Sequence, residues 1–176
     1  MIDNERDARD AVTHLLELGH ERVALLVART TWTTDAGRLK GYRAAHAAAP
    51  RRVDPALVLK VAVHERDIAG RIDALLEQAR PTAIFAANNV LAEHAWHVLR
   101  RRRLRIPRQI SLVAFDDVPW MEMVDPGITA VAQPTFEMGR RAASLLLRRF
   151  ADGACPPQVE CLEPSLVFRA STGPPA

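Results

Sequence analysis

Four short apolar runs constrain this chain most: Val23-Ala24-Leu25-Leu26-Val27, Leu57-Val58-Leu59-Lys60-Val61, Thr82-Ala83-Ile84-Phe85-Ala86-Ala87 and Ser111-Leu112-Val113-Ala114-Phe115. Each is too short for an independent helix, and none alternates strictly between apolar and polar residues. That is how strands covered on both faces read. Sheets covered on both faces are built from parallel strands joined by helical crossovers. The spaces between the runs should therefore be helical.

They are patterned so. Residues 7–18 place Ala8, Ala11, Val12, Leu15 and Leu16 on one helical face, and Gly19 stands where a C-cap belongs. A second helix follows the hydroxyl-rich loop 30–34, capped by Thr34 or Asp35, and carries Leu39 and Tyr42 up to Pro50. Residues 68–78 put Ile72, Leu75 and Leu76 inward, and residues 91–102 form the next helix. This alternation predicts an α/β fold with a doubly wound parallel sheet. The rhythm changes after Asp117. Residues 118–126 read as irregular and unusually apolar, 128–131 as short and extended, and 136–150 as a helix. Residues 159–162 and 166–169 read as short strands, and 171–176 as a frayed polar tail.

Composition excludes several classes. The net charge of +3 is a mild excess. The arginine cluster Arg100, Arg101, Arg102, Arg103, Arg105 and Arg108 lacks interleaved aromatics, so it reads as a basic last turn rather than a single-strand binder. Cys155 and Cys161 have no metal-motif spacing. His94 and His97 share a helix face but match no zinc pattern, so no metal is expected. There is no glycine-rich phosphate loop and no Gly-x-Ser-x-Gly elbow, and no cofactor is expected. No run approaches the roughly 18 apolar residues of a membrane span. The charged start without a signal-peptide core gives a cytoplasmic expectation.

Ligands of open α/β sheets bind beyond the carboxyl ends of the strands. Three such ends carry polar groups: residues 30–35, Asn88-Asn89 and Asp116-Asp117. Hydroxyl, amide and carboxylate together suit a polyhydroxylated or heterocyclic small molecule. Arg38, one turn into the second helix, can reach the same crevice as a bidentate donor to a ligand or to Asp116. Asp117, followed by Pro119, fits a turn role better.

Several segments, in this order and spacing, resemble the effector-binding region of the LacI/GalR family of bacterial transcriptional regulators. They include Leu18-Gly19-His20, Gly37-Arg38-Leu39-Lys40-Gly41-Tyr42, Ile84-Phe85-Ala86-Ala87-Asn88-Asn89, Ile110-Ser111-Leu112-Val113-Ala114-Phe115-Asp116-Asp117, Gln133-Pro134 and Phe168-Arg169-Ala170-Ser171-Thr172. The resemblance implies a two-lobed, periplasmic-binding-protein-like fold of type I, a sugar-like effector, homodimerisation and control of operator binding by the intact protein. It implies no enzymatic activity. It places effector contacts at Arg38, Asn88, Asp116 and Thr34, with Glu65 and Asp3 as further candidates. It implies a dimer surface at Leu91, Ala95, Val98, Val118, Trp120, Met121 and Met123.

By the same resemblance, residues 1–128 form the second lobe. Residues 129–158 are a crossover strand and a helix that normally packs in the first lobe, and 159–170 are return strands to the second. No DNA-binding helix-turn-helix precedes them. Asn89 stands where the family usually has Asp, Ala114 where it has Gly, and Glu65 where some members place an aromatic ring. The last departure favours a polar effector. Two alternatives stand beside this reading: a stand-alone sugar-binding protein, and an enzyme on a doubly wound sheet, since fold alone does not decide function.

Overall fold

The computed structural model describes residues 1–29, 32–48, 53–62, 65–152 and 158–176. The order is α1 (Asn4–Glu17), β1 (Val23–Arg29), α2 (Thr33–Ala48), a single 3-10 turn (Pro55–Leu57), β2 (Val58–Ala62) and α3 (Ile68–Ala79). Then come β3 (Ala83–Ala86), α4 (Asn89–Arg101), β4 (Ser111–Phe115), α5 (Trp120–Met123), β5 (Thr129–Ala132), α6 (Thr135–Asp152) and β6 (Ser165–Val167). The strands form one sheet in the order β2-β1-β3-β4-β5-β6. All neighbours are parallel except β5 and β6.

The sheet explains why its strands lack polar alternation. Leu26, Ile84, Ala86, Leu112 and Ala114 face one side and pack with α3 and α4. Their neighbours Leu25, Phe85, Val113 and Phe115 face the other and pack with α1 and α2. Successive strand residues point to opposite faces, so covering both faces makes every position apolar. The chain winds from β1 outward to β2, then returns past β1 to β3. The crevice at such a reversal lies beyond the strand ends, and here it opens between β1 and β3.

Helix α1 starts where Asp3 caps it, the carboxylate accepting from the Arg6 amide at 3.0 Å. It ends before Gly19, whose φ of +95° is open to glycine without steric cost. Gly41 in α2 lets the two helices meet backbone to backbone. A Cβ there would strike the Glu5 carbonyl and lie 2.8 Å from the Arg9 nitrogen.

The later part of the chain departs from the sequence reading. Residues 118–126 contain the one-turn helix α5, which buries Met121. Residues 158–164 form no regular strand, although the Leu162 amide donates to the Met1 carbonyl at 2.7 Å. β5 lies beside β4 as a further parallel strand of the sheet. The tail is docked rather than frayed. Ser171 is fully buried, its hydroxyl donating to the Leu112 carbonyl at 2.6 Å and accepting from the Thr129 amide at 2.8 Å. Gly173 bonds Ser111 through its amide, at 3.1 Å. Its carbonyl accepts from His20 Nε2 at 2.8 Å. A carbonyl can only accept, so Nε2 carries the proton and Nδ1 accepts from the Thr82 hydroxyl at 2.9 Å. Burial lowers the pKa of this imidazole. A polar composition predicted fraying; these long-range hydrogen bonds were not visible in it.

Candidate functional site

The site is built around two residues. Arg38, in the second turn of α2, is 5% exposed, and Asp116 begins the loop after β4. Asp116 has φ +71°, a left-handed conformation that short polar side chains tolerate better than most. Its amide donates to Val131 at 3.0 Å, which ties the turn to β5. The guanidinium meets the carboxylate as a fork, with Nη1 to Oδ2 at 3.2 Å and Nη2 to Oδ1 at 3.3 Å. Nε donates to Asn4 Oδ1 at 3.0 Å, and Nη1 also donates to the Ala87 carbonyl at 2.6 Å. The guanidinium carbon lies 3.8 Å from the centroid of the Phe115 ring. Burial lowers the Arg38 pKa and Asp116 opposes that shift. A guanidinium stays charged in a protein regardless.

The hydrogen-bond inventory shows what remains for a ligand. Arg38 has five N–H donors and these contacts use four, leaving one on Nη2. Gln133 Nε2 donates to Asp116 Oδ1, so that oxygen is occupied twice, while Oδ2 keeps an open lone pair. Asp116 Oδ2 thus keeps an acceptor site beside the arginine that holds it. A hydroxyl group, which can donate to that oxygen, complements it.

Both residues open onto a cavity of about 380 Å³. Thr34 and Asp35 of α2, Asn88 before α4 and Ile68 of α3 also line it, with Trp32 66% exposed at the rim. Asn88 caps α4, its Oδ1 accepting from the Leu91 amide at 2.9 Å. The volume suits a small molecule.

The sequence candidates divide. Arg38, Asn88, Asp116 and Thr34 meet in this cavity. Glu65 does not line it, because its carboxylate is taken by Arg71 at 2.9 Å and by the Ala62 amide at 3.0 Å. Asp3 is the cap of α1, and its neighbour Asn4 reaches Arg38 instead. Asp117 is no mere turn residue; Arg169 grips it with bonds of 2.9 and 2.8 Å. Of the residues expected at a dimer surface, Leu91, Ala95, Val98 and Met121 are each at most 3% exposed and belong to the chain's own core. Trp120 and Val118 are half-buried, and Met123 is 82% exposed. Sequence reasoning did not single out Asn4, Trp32 or Gln133. Gln133 had a signal, the Gln133-Pro134 segment within the family resemblance.

Comparison with known proteins gives the family and supports the fold. The family model for the periplasmic binding protein-like domain matches residues 12–172. The chain belongs to that family. Curated relatives place it with LacI-type regulators. It is 34% identical over 174 residues to the HTH-type transcriptional regulator DegA of Bacillus subtilis (strain 168), covering 99% of this chain and 52% of the relative. Among solved structures, the CelR–cellobiose complex superposes with a TM-score of 0.88 at 34% identity, covering 97% of this chain and 52% of that one. A LacI family regulator from Enterococcus faecium with bound ribose gives a TM-score of 0.90 at 28% identity, covering 98% and 64%. The chain spans about half the length of the curated relatives it matches. Those relatives are transcriptional regulators rather than enzymes. Among the described residues, no helix is long and apolar enough to cross a membrane.

Proposed function

We propose that this chain is the effector-sensing region of a LacI-type transcriptional regulator, and that its crevice takes a sugar or related polyhydroxylated metabolite. The carrying observation is the Arg38–Asp116 fork, held by Asn4 and Ala87, whose two residues line the cavity. A sugar hydroxyl can donate to the open lone pair of Asp116 Oδ2. Asn88 and Thr34 supply further hydrogen bonds, and Trp32 offers an aromatic face to the apolar side of a sugar ring. The relatives solved with cellobiose and with ribose favour a saccharide over a nucleobase.

The mechanism in the intact regulator is a shift between two states. An effector that binds the closed arrangement of two lobes more tightly favours closure by its difference in affinity. Residues 1–128 with β5 and β6 form one lobe, and α6 packs with the other. Operator contact belongs to a helix-turn-helix of the intact regulator. Homodimerisation uses the surface around Val118, Trp120 and the exposed Met123.

A thermal-melt screen against mono- and disaccharides, polyols and nucleosides tests the reading, with Asp116→Asn alongside. At about 100 times its Kd a ligand should stabilise by roughly 2.7 kcal/mol. A saccharide hit lost in the variant supports the proposal. A hit equally strong in the variant contradicts it.

A further inference from the structure

A second cavity, of about 400 Å³, lies at the opposite end of the sheet from Asp116. Residues 103–106, which lead into β4, line it together with Asp125 and Pro126, which lead into β5. Both segments precede their strands, whereas Asp116 and Asn88 follow theirs. The last two turns of α4 contribute Trp96 and Arg100.

The arginines of this stretch fall into two groups. Arg101 and Arg102 turn to α3, where Asp73 pairs with both, and Glu77 takes Arg102 at 2.7 Å. They already supply the positive charge that a helix C-terminus favours. Arg100, Arg103 and Arg105 line the cavity instead. Among the described residues none of the three is in an ion pair; Arg105 has only the neutral Gln109 oxygen, at 3.4 Å from Nε. Arg100 is stationed over Trp96, with its guanidinium carbon 5.6 Å from the ring centroid. Asp125 is the single carboxylate among the lining residues.

Three guanidiniums lining one concavity, against a single carboxylate, give it a net positive charge that favours an anion. All three are solvent-exposed at the cavity, where an anion can reach them. Guanidinium forks match phosphoryl oxygens in pairs, and several of them suit an anion of more than one charge. Trp96, Leu104 and Ile106 give the cavity an apolar wall on which an organic body can rest. Asp125 would accept from a hydroxyl or amino group on that body.

We propose that this cavity binds a small molecule carrying adjacent phosphoryl groups, at a site separate from the crevice at Asp116. The proposal does not depend on the nature of the effector.

Isothermal titration with inorganic pyrophosphate in about 0.15 M chloride, where surface attraction is screened beyond roughly 8 Å, tests it. The expected result is saturable one-site binding, weakened at least tenfold in Arg100→Ala/Arg103→Ala. Affinity should stay within about twofold in Arg148→Ala/Arg149→Ala, which removes the same charge from α6, and in Asp116→Asn. Arg105→Ala alone is a second variant, with a loss of at least threefold expected, should the double variant melt abnormally. A parallel titration with a nucleoside diphosphate separates two ligand sources: equal affinity names a bare polyphosphate, and at least tenfold tighter binding names an organophosphate. Absence of saturable heat with both probes overturns the proposal. So does an equal loss in the two double variants, which would reveal only general charge attraction.

Discussion

Helices α2 and α6 both carry a glycine and an apolar stripe, yet they occupy opposite situations. In α2, Gly41 sits against the backbone of α1, and Tyr42, Ala45 and His46 are buried around it. In α6, a Cβ at Gly139 would meet nothing within 4 Å. The apolar residues Phe136, Leu147 and Phe150 of α6 are 84%, 67% and 76% exposed. The same helical periodicity produced one buried helix and one that packs at Met138 but leaves Phe136, Leu147 and Phe150 uncovered. Periodicity identifies a face; only the partner makes it a core. Arg38 belongs to the packed helix, and its precision derives from that packing.

Breaking the packed side should have the largest consequence. Arg38→Ala removes the partner of Asp116 and leaves the Ala87 carbonyl unpaired. With Asp116 itself about a quarter accessible, a loss of about 3 kcal/mol is expected, the low end for breaking a buried ion pair. Urea denaturation with an unchanged m-value would read it. Gly41→Ala should follow, costing about 2 kcal/mol by forcing α1 and α2 apart. An effect under about 0.5 kcal/mol would mean that the helices separate freely, and the comparison would fail.

Acidification should likewise act on the packed side. Burial lowers the pKa of His14, His20 and His46, so the unfolded chain protonates first as pH falls. Stability should be full above about pH 6.5 and decline below it, towards the depressed folded-state values. His20→Asn, assayed by melts between about pH 7.5 and 5, should flatten that decline.

Substitutions on α6 should run the other way or do little. Gly139→Ala gains helix propensity without a clash and should stabilise by about 0.5–1 kcal/mol. Leu147→Ser should leave stability within about 0.5 kcal/mol and reduce self-association in sedimentation. A large destabilisation by Leu147→Ser would show that the Leu147 face of α6 has a partner within this chain after all.

The sheet was legible because burial on both faces leaves an unmistakable apolar run, as in 111–115, and because the site sits where such runs end. Arg38 and Asp116 were legible as a pair for that reason. Contacts across long separations were not. Nothing near Asp117 announces Arg169, and nothing in a polar tail announces that Ser171 fills a gap beside Leu112. Leu91, Ala95 and Val98 mark a true apolar stripe, but a stripe does not say whether it faces the chain's own sheet or another molecule. Glu65 failed for a local reason: Arg71, six residues on, takes its carboxylate.

The most direct test sets the two adjacent carboxylates against each other. Calorimetric titration of the saccharide found in the screen should show affinity falling at least 100-fold in Asp116→Asn. In Asp117→Asn, whose partner is Arg169, affinity should remain within about threefold while the melting temperature drops. Equal losses in the two variants, or an unchanged affinity in Asp116→Asn, would contradict the assignment of the crevice.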